Sequence, residues 1–290
     1  TDQSTNIKVE FKIFNKIDEA FYKYLKKEFN IKSTLFISLG SRLIFDSKAV
    51  DFFSGNLINF HGTRLPYDSG GGGSSWKIMR NDRIDNQLVH IIDEGIDTGP
   101  IIKYSSSLYP KDCLIPKEID NYSLQKFFQF YCLFISDLIE GKKFLLKPQV
   151  KYIGRYNPRL STLDNGFIDW KWEPLDLLNF INSFDEPYQG SMTYINRGNF
   201  GPVHLKSVQL HGGDSSNHPY MAGLVSRHDK DWIVVCTSGK YSLIIEKIID
   251  SSGNNIIDKI KPGDRFFTPS EILDQSNSKR ITYNSKGKIK

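Results

Sequence analysis

The chain has 290 residues, of which 39% are hydrophobic and 13% aromatic, so it can bury an ample core and suits one large domain or two ordinary ones. Its apolar runs fall well short of the roughly 20 residues of a membrane-spanning helix. The opening TDQSTNIKVE lacks the apolar centre of a signal peptide. We therefore expect a cytoplasmic protein. The formal net charge of +5 comes with a cationic tail, SKRITYNSKGKIK, which is only a weak indication of nucleic-acid binding.

The first half of the chain carries the pattern of an α/β sheet. IDEAFYKYLKKEFN, residues 17–30, spaces its apolar residues as an amphipathic helix does. The run from Tyr122 to Ile139 predicts a long aromatic-rich helix that ends before Gly141. Between these helices, three short apolar runs predict buried strands; they are TLFISLG (34–40), NLINF (56–60) and NQLVHII (86–92).

The periodic sequence pattern ends after these elements. The stretch around residues 146–161 has two prolines and little periodicity, which is typical of a linker. We therefore expect a first domain over 1–147, a linker over 148–158 and a β-rich second domain with a basic tail over 159–290. The second domain is predicted to contain one helix and several strands, and a barrel is one architecture that suits them. These elements are PLDLLNFINSF (174–184), VHLKSVQL (203–210), DWIVVCT (231–237) and YSLIIEKII (241–249).

Three polar residues are candidates for chemistry. If residues 56–60 form a strand, Asn59 and His61 project from the same face at its carboxyl end. Asp97 follows another strand-like run, in a loop with glycines at 95 and 99 that can bend sharply. An amide, an imidazole and a carboxylate that converge on one point suit an addition reaction at a carbonyl group.

Several other interpretations are weaker. Taken one at a time, each of the three polar residues is more often a turn or surface residue. GGGGSSWK (70–77) lacks the GK[ST] ending of a phosphate-binding loop, and neither GxSxG nor HExxH occurs. The remaining histidines show no paired metal spacing and are interpreted as structural or exposed; they are His90, His204, His211, His218 and His228. Three widely spaced cysteines, at 113, 132 and 236, favour neither a disulfide framework nor a zinc site.

Two long segments carry a family resemblance. NLINFHGTRLPYDSGGGGSSWKIM followed by HIIDEGIDTGPII resembles the signature of the folate-dependent formyltransferases, which include methionyl-tRNA, glycinamide ribonucleotide and nucleotide-sugar N-formyltransferases. PRLSTLDNGFIDWKWEPLDLLNFINSFDEPYQGSMTYI, residues 158–195, resembles the start of the C-terminal domain of the methionyl-tRNA enzymes and certain sugar enzymes. The resemblance implies a Rossmann-like catalytic domain that here lacks its usual N-terminal strands, followed by a smaller OB-like domain.

The same resemblance implies roles for individual residues. Asn59, His61 and Asp97 match the family's three active-site residues, and Leu65 would form a hydrophobic wall nearby. The formyl donor would be 10-formyltetrahydrofolate, used without a metal. Its pterin would lie against the residues that follow Gly40 and against the loop that ends at Asp97; these are Arg42, Leu43, Ile44, Asp93, Glu94 and Ile96.

The resemblance also sets expectations for the acceptor, the assembly and the pH dependence. We expect transfer to the amino group of a nucleotide-linked sugar, with methionyl-tRNA as the alternative acceptor and a non-catalytic folate-binding protein as a further alternative. No membrane partner is expected, and the sugar enzymes suggest a homodimer. We also expect Asp97 to outweigh burial and raise the pKa of His61, which would give the pH profile an alkaline limb that belongs to His61.

Overall fold

The computed structural model describes residues 12–41, 43–71, 73–150, 152–197, 200–284 and 287–288. Its first part, here called the N-terminal lobe, is built around a four-stranded sheet. The elements of this lobe are α1 (Glu19–Glu28), β1 (Phe36–Leu39), α2 (Ser47–Phe53), β2 (Leu57–His61), β3 (Asp68–Gly70), α3 (Gly73–Met79), β4 (Ile84–Ile91), β5 (Ile101–Leu108) and α4 (Pro116–Ile139). The three strands predicted for this half are confirmed as β1, β2 and β4, whereas β3 and β5 were not predicted.

The sheet has the order β1-β2-β4-β5. β1 and β2 are parallel, whereas β4 is antiparallel to both β2 and β5. The fold is thus of the α/β type, and the Rossmann-like arrangement stays a prediction. The expected loss of the N-terminal strands also stays a prediction, since residues 1–11 lie outside the described residues.

Helices cover both faces of this sheet. Because side chains alternate along a strand, β2 sends Ile58 and Phe60 to one face, where they pack with Phe130 and Phe134 of α4. Leu57 points to the opposite face and packs with α1 and α2. The remaining residues of β2 on that second face are Asn59 and His61, so the strand's own alternation aims both candidates away from α4.

The helix ends follow local sequence signals. The Asp18 carboxylate accepts the backbone N–H groups of Ala20 and Phe21 and so begins α1, close to the predicted start. α4 begins at Pro116, six residues before the predicted Tyr122, because proline suits the first helical turn. Its predicted end is confirmed, with Gly141 adopting a φ of +71° just beyond the helix.

The rest of the chain, here called the C-terminal lobe, contains a curled antiparallel sheet. Its elements are β6 (Arg155–Asn157), α5 (Thr162–Asn165), α6 (Pro174–Ser183), β7 (Ser191–Ile195), β8 (Val203–Gly212), β9 (Val225–His228), β10 (Ile233–Cys236), β11 (Tyr241–Ile249), β12 (Phe266–Phe267), α7 (Ser270–Ser278), β13 (Tyr283–Asn284) and β14 (Gly287–Lys288), with 3-10 turns at Pro219–Met221 and Ile257–Lys259. The predicted helix and the three predicted strand runs are confirmed as α6, β8, β10 and β11.

Six of these strands form one sheet of order β12-β7-β8-β11-β10-β9. The sheet curls until its two edges meet, where the backbone N–H of Phe266 donates to the carbonyl of Gly223 at 2.8 Å and that of Val225 to the carbonyl of Asp264 at 2.8 Å. α6 closes over the interior with Leu177 and Ile181, both fully buried. The OB-like classification of this lobe stays a prediction.

The predicted linker is tied to the N-terminal lobe. β6 lies within residues 148–158 and pairs in parallel with β3. The buried Asp68 carboxylate of β3 bonds Arg155 of β6 and Arg80, each at 3.1 Å. The lobes also meet where Ser75 of α3 donates to the carbonyl of Ser183 at 2.8 Å. The domain boundaries stay a prediction, but their connecting segment takes part in the packing.

Within the described residues, every helix is too short or too polar to cross a membrane. The predicted basic tail contributes the two-stranded β13–β14 hairpin.

The core of the C-terminal lobe gives a direct test of the packing. Leu177→Ala should lower the free energy of unfolding by about 2–5 kcal/mol, because Leu177 is fully buried and the change leaves a cavity. Leu175→Ala is the matched control, since Leu175 lies on the same helix but is 50% exposed, and it should change stability by less than about 0.5 kcal/mol. Urea unfolding followed by tryptophan fluorescence measures both; equal effects would contradict the assigned helix face.

Candidate active site

A cavity of about 260 Å³ opens beside the carboxyl ends of β1 and β2. The three predicted catalytic residues, Asn59, His61 and Asp97, all line it. So do four of the residues predicted to hold the pterin, namely Leu43, Ile44, Asp93 and Ile96. The structure therefore brings together side chains that are up to 54 positions apart in the sequence, from Leu43 to Asp97.

Two predicted site residues lie away from this cavity. Leu65 is 6% exposed and packs with Leu88 and Ile101 in a separate buried cluster. Glu94 lies on the exposed side of its loop and is not part of the cavity wall. Arg42 lies outside the described residues.

The register between β2 and β4 places a further residue in the site. Asn59 lies directly opposite His90, and the amide nitrogen Nδ2 of Asn59 is 3.2 Å from Nε2 of His90. His90 Nδ1 lies 2.8 Å from the carbonyl oxygen of its neighbour Ile91, to which it donates. Nε2 is then left as an acceptor, so it takes one N–H of Asn59 and fixes the orientation of the amide.

The sequence interpretation of His90 as structural or exposed missed this role. His90 is 2% exposed and lines the cavity. Its position within NQLVHII, beside the Asp93–Asp97 loop, was visible in the sequence. The antiparallel pairing that sets it opposite Asn59 was not.

The His61 ring is held between a hydroxyl and a carboxylate. Its Nε2 lies 2.5 Å from Thr63 Oγ1 and 3.7 Å from Asp97 Oδ2. Thr63 donates its own hydroxyl proton to the carbonyl of Asp68 at 2.5 Å. The Thr63 oxygen is therefore an acceptor toward His61, from which we infer that Nε2 carries the ring proton and Nδ1 is free to accept one.

Asp97 is positioned by its own loop and by the segment that follows α4. Its backbone adopts a φ of +57°, and its carboxylate accepts the N–H of Gly70 at 2.9 Å. Gln149 donates its amide to the carbonyls of Asp97 and Gly99, at 2.9 and 2.6 Å. Gly99 packs so closely on the carbonyl of Ile91 that a side chain there would collide with it. These contacts fix the position of Asp97 and of the residues that follow it.

Burial dominates the electrostatics of both site histidines. Burial lowers the pKa of His61 from its ordinary value; Asp97 raises this pKa, while His90 and Lys77 lower it further. Burial likewise lowers the pKa of His90, against the raising effects of the Ile91 carbonyl and of Asp97. The expectation that Asp97 would outweigh burial at His61 is wrong, because the ring is almost enclosed, with 14% of its side chain exposed.

The cavity walls suit a flat heterocycle. Apolar side chains of Leu43, Ile44 and Ile96 form one part, and the polar backbone of the loop at 93–97 forms another. The Asp93 carboxylate accepts the Gly95 N–H and the Thr98 hydroxyl, at 3.1 and 2.6 Å, and so stabilises that loop. In the described part of the chain, no group of three or more His, Cys, Asp or Glu side chains is arranged to hold a metal ion.

Comparisons with known proteins point to one kind of enzyme. Residues 161–258 match the family described as "Formyl transferase, C-terminal domain". A methionyl-tRNA formyltransferase from Prochlorococcus marinus is 24% identical over 252 residues, which cover 80% of this chain and 74% of that protein.

Solved structures share the fold. An N-formyltransferase from Helicobacter canadensis, solved in complex with folinic acid and dTDP-3-aminofucose, matches with a TM-score of 0.54 and 20% identity over 73% of each chain. HypX from Aquifex aeolicus matches with a TM-score of 0.58 and 13% identity over 95% of this chain and 43% of that one. Together with the sequence matches, these likenesses agree with the α/β lobe and the curled antiparallel sheet.

The buried histidines can be tested by titration. In ¹⁵N NMR spectra of the folded protein, His61 and His90 should be neutral at pH 7 and titrate below the ordinary value of about 6.5, because burial lowers both pKa values. Asp97→Asn should lower the pKa of His61 further, since it removes the carboxylate that raises it. The urea-unfolded chain is the control, in which both rings should titrate near their ordinary value. A His61 pKa above 6.5 in the folded protein would contradict the assigned balance.

Proposed function

We propose that this chain, which belongs to the folate-dependent formyltransferase family, moves the formyl group of 10-formyltetrahydrofolate to the amino group of a nucleotide-linked amino sugar. The chain is a folate-dependent formyltransferase, and its donor is a folate-derived formyl compound. The acceptor, the catalytic roles and the assembly are our proposals. The observation that supports the catalytic roles is the convergence of Asn59, His61 and Asp97 on one cavity.

We propose that Asn59 stabilises the charge that develops on the formyl oxygen. One N–H of its amide is used by His90, so the second N–H is left to donate to the oxyanion that forms when the amine attacks. A preorganised donor of this kind is most effective where water is excluded. His90 thereby acts as a positioning residue.

We propose that neutral His61 carries the proton of the reaction. The attacking amine gains a positive charge as its nitrogen bonds to the formyl carbon, and the free Nδ1 of His61 accepts the proton that it loses. The imidazolium formed lies 3.7 Å from the Asp97 carboxylate, which favours its charge. When the bond from the formyl carbon to the folate nitrogen breaks, that nitrogen receives the proton and His61 returns to its neutral form.

Two observations favour a sugar acceptor. The Helicobacter canadensis enzyme was solved with dTDP-3-aminofucose. The Lys and Arg residues of the C-terminal half are spread thinly along the sequence and become dense only in the tail. A tRNA acceptor should require many Lys and Arg contacts with phosphates. Methionyl-tRNA is the second candidate, because the sequence relatives include methionyl-tRNA formyltransferases. A non-catalytic folate-binding role is the third.

The acceptor can be identified directly. Purified protein with 10-formyltetrahydrofolate should formylate at least one of a panel of nucleotide-linked amino sugars over many turnovers, and leave charged initiator tRNA unchanged. Exclusive formylation of the tRNA would reject the sugar proposal. Folate binding without transfer to any amine would favour the non-catalytic alternative.

With the best acceptor, the contributions of Asn59 and His61 to kcat can be compared. Asn59→Ala should lower kcat about 10²- to 10³-fold through loss of an oxyanion donor, and His61→Ala about 10²- to 10⁴-fold through loss of the proton carrier. Activity should fall as the pH drops through the lowered pKa of His61, because only the neutral ring accepts a proton. His211→Ala is the matched control, since His211 is exposed on the C-terminal lobe; similar rates for His61→Ala and this control would reject the site.

We also propose that the protein forms a homodimer. Leu124, Phe128 and Ile139 are spaced to lie along one side of α4 and are 59%, 65% and 82% exposed. Phe128→Glu should convert a dimer into a 33.3 kDa monomer in light scattering, whereas Leu163→Glu, at another exposed leucine, should not. A monomeric parent protein at micromolar concentration would reject the proposal.

A further inference from the structure

A buried lysine bonds the turn that directly follows His61. Lys77 belongs to α3 and is 5% exposed. Its ammonium nitrogen donates to the carbonyl of Gly62 at 3.1 Å and to the hydroxyl of Tyr109 at 3.0 Å. A buried ammonium is costly unless its protons are bonded, so these contacts hold the lysine in one place.

The far side of this lysine is anchored in a buried polar network. The Tyr109 hydroxyl, which accepts from Lys77, donates to the Asp85 carboxylate at 3.0 Å. Asp85 is 1% exposed and also accepts the hydroxyl of Ser123 at 2.7 Å and the amide of Gln87 at 3.2 Å. The network ties Lys77 to β4, to α4 and to Tyr109, which directly follows β5.

The Lys77 ammonium also bonds the turn next to His61, through the Gly62 carbonyl. Gly62 stands between His61, the proposed proton carrier, and Thr63, whose oxygen fixes the His61 tautomer. We propose that Lys77 is a positioning residue of the active site: by holding the Gly62 carbonyl, it fixes the turn after β2 and with it the orientation of the His61 ring. This inference rests on the proposed function of His61.

The charge of Lys77 adds an electrostatic consequence. His61 faces Asp97, His90 and Lys77, with the two imidazole rings 6.2 Å apart between centroids. Burial lowers the pKa of Lys77. The carboxylates of Asp85, Asp82 and Asp68 raise this pKa, and the guanidinium of Arg80 lowers it. A positive charge near His61 opposes a second one on the ring, so removing Lys77 should raise the pKa of His61.

The test compares three lysine variants. Lys77→Met removes both the donor and the charge, and should lower kcat about 10- to 100-fold, with the KM of the folate donor changed less than threefold, because orientation rather than binding is lost. Lys77→Arg keeps a charged donor and should recover a clear part of kcat. Lys103→Met is the matched control, because the Lys103 ammonium bonds Asp137 on α4 and not an active-site carbonyl; it should leave kcat unchanged.

A second readout separates positioning from general damage. In ¹⁵N NMR titrations of the folded protein, Lys77→Met should raise the pKa of His61 and Lys103→Met should not. If the methionine variant does not fold, Lys77→Gln replaces it, since glutamine is neutral but keeps a donor, and the same rise is expected. This titration needs no acceptor, so it stands even if the proposed transfer reaction fails.

Two results would overturn the inference. One is an unchanged His61 titration in the neutral variant. The other is an equal kcat for the methionine and arginine variants.

Discussion

The site depends on the antiparallel register between β2 and β4, which sets Asn59 opposite His90. In this pairing the His90 ring is buried. Its Nδ1 donates to the Ile91 carbonyl, and its Nε2 accepts from the Asn59 amide and orients it. A shift of one residue would turn every side chain of β2 to the other face of the sheet. Asn59 and His61 would then point into the core beneath α4, and the cavity would lose its polar wall.

The second constraint is that charge inside the cavity is governed by burial. Asp97 lies close enough to favour an imidazolium, yet the ring is so enclosed that burial lowers the pKa of His61. The same enclosure makes the anchoring of Asp97 important. Its carbonyl is held by Gln149, from the segment between the lobes, and its carboxylate by the Gly70 backbone. The connection between the lobes therefore takes part in forming the site.

Much of the fold was predictable because its signals are local. Helix α1 has an aspartate cap and an apolar stripe, and β2 has an apolar run closed by polar residues. β5, with SSS in its sequence, was missed because strand pairing rather than propensity decides it. The early start of α4 was missed although Pro116 marks it locally. The convergence of Asn59, His61 and Asp97 was predictable from motif and resemblance. The role of His90 and the effect of burial on the pKa of His61 were not predictable from the sequence, because both depend on the pairing of β2 with β4 in three dimensions.

A crystal structure with 5-formyltetrahydrofolate would test the proposed site most directly. In that structure the pterin should lie against the loop at 93–97, with the formyl group inside the cavity. The formyl oxygen should then lie about 3 Å from the amide nitrogen of Asn59, with His61 beside the formyl carbon and still bonded to Thr63. A pterin bound outside this cavity, or a formyl group turned away from Asn59 and His61, would contradict it.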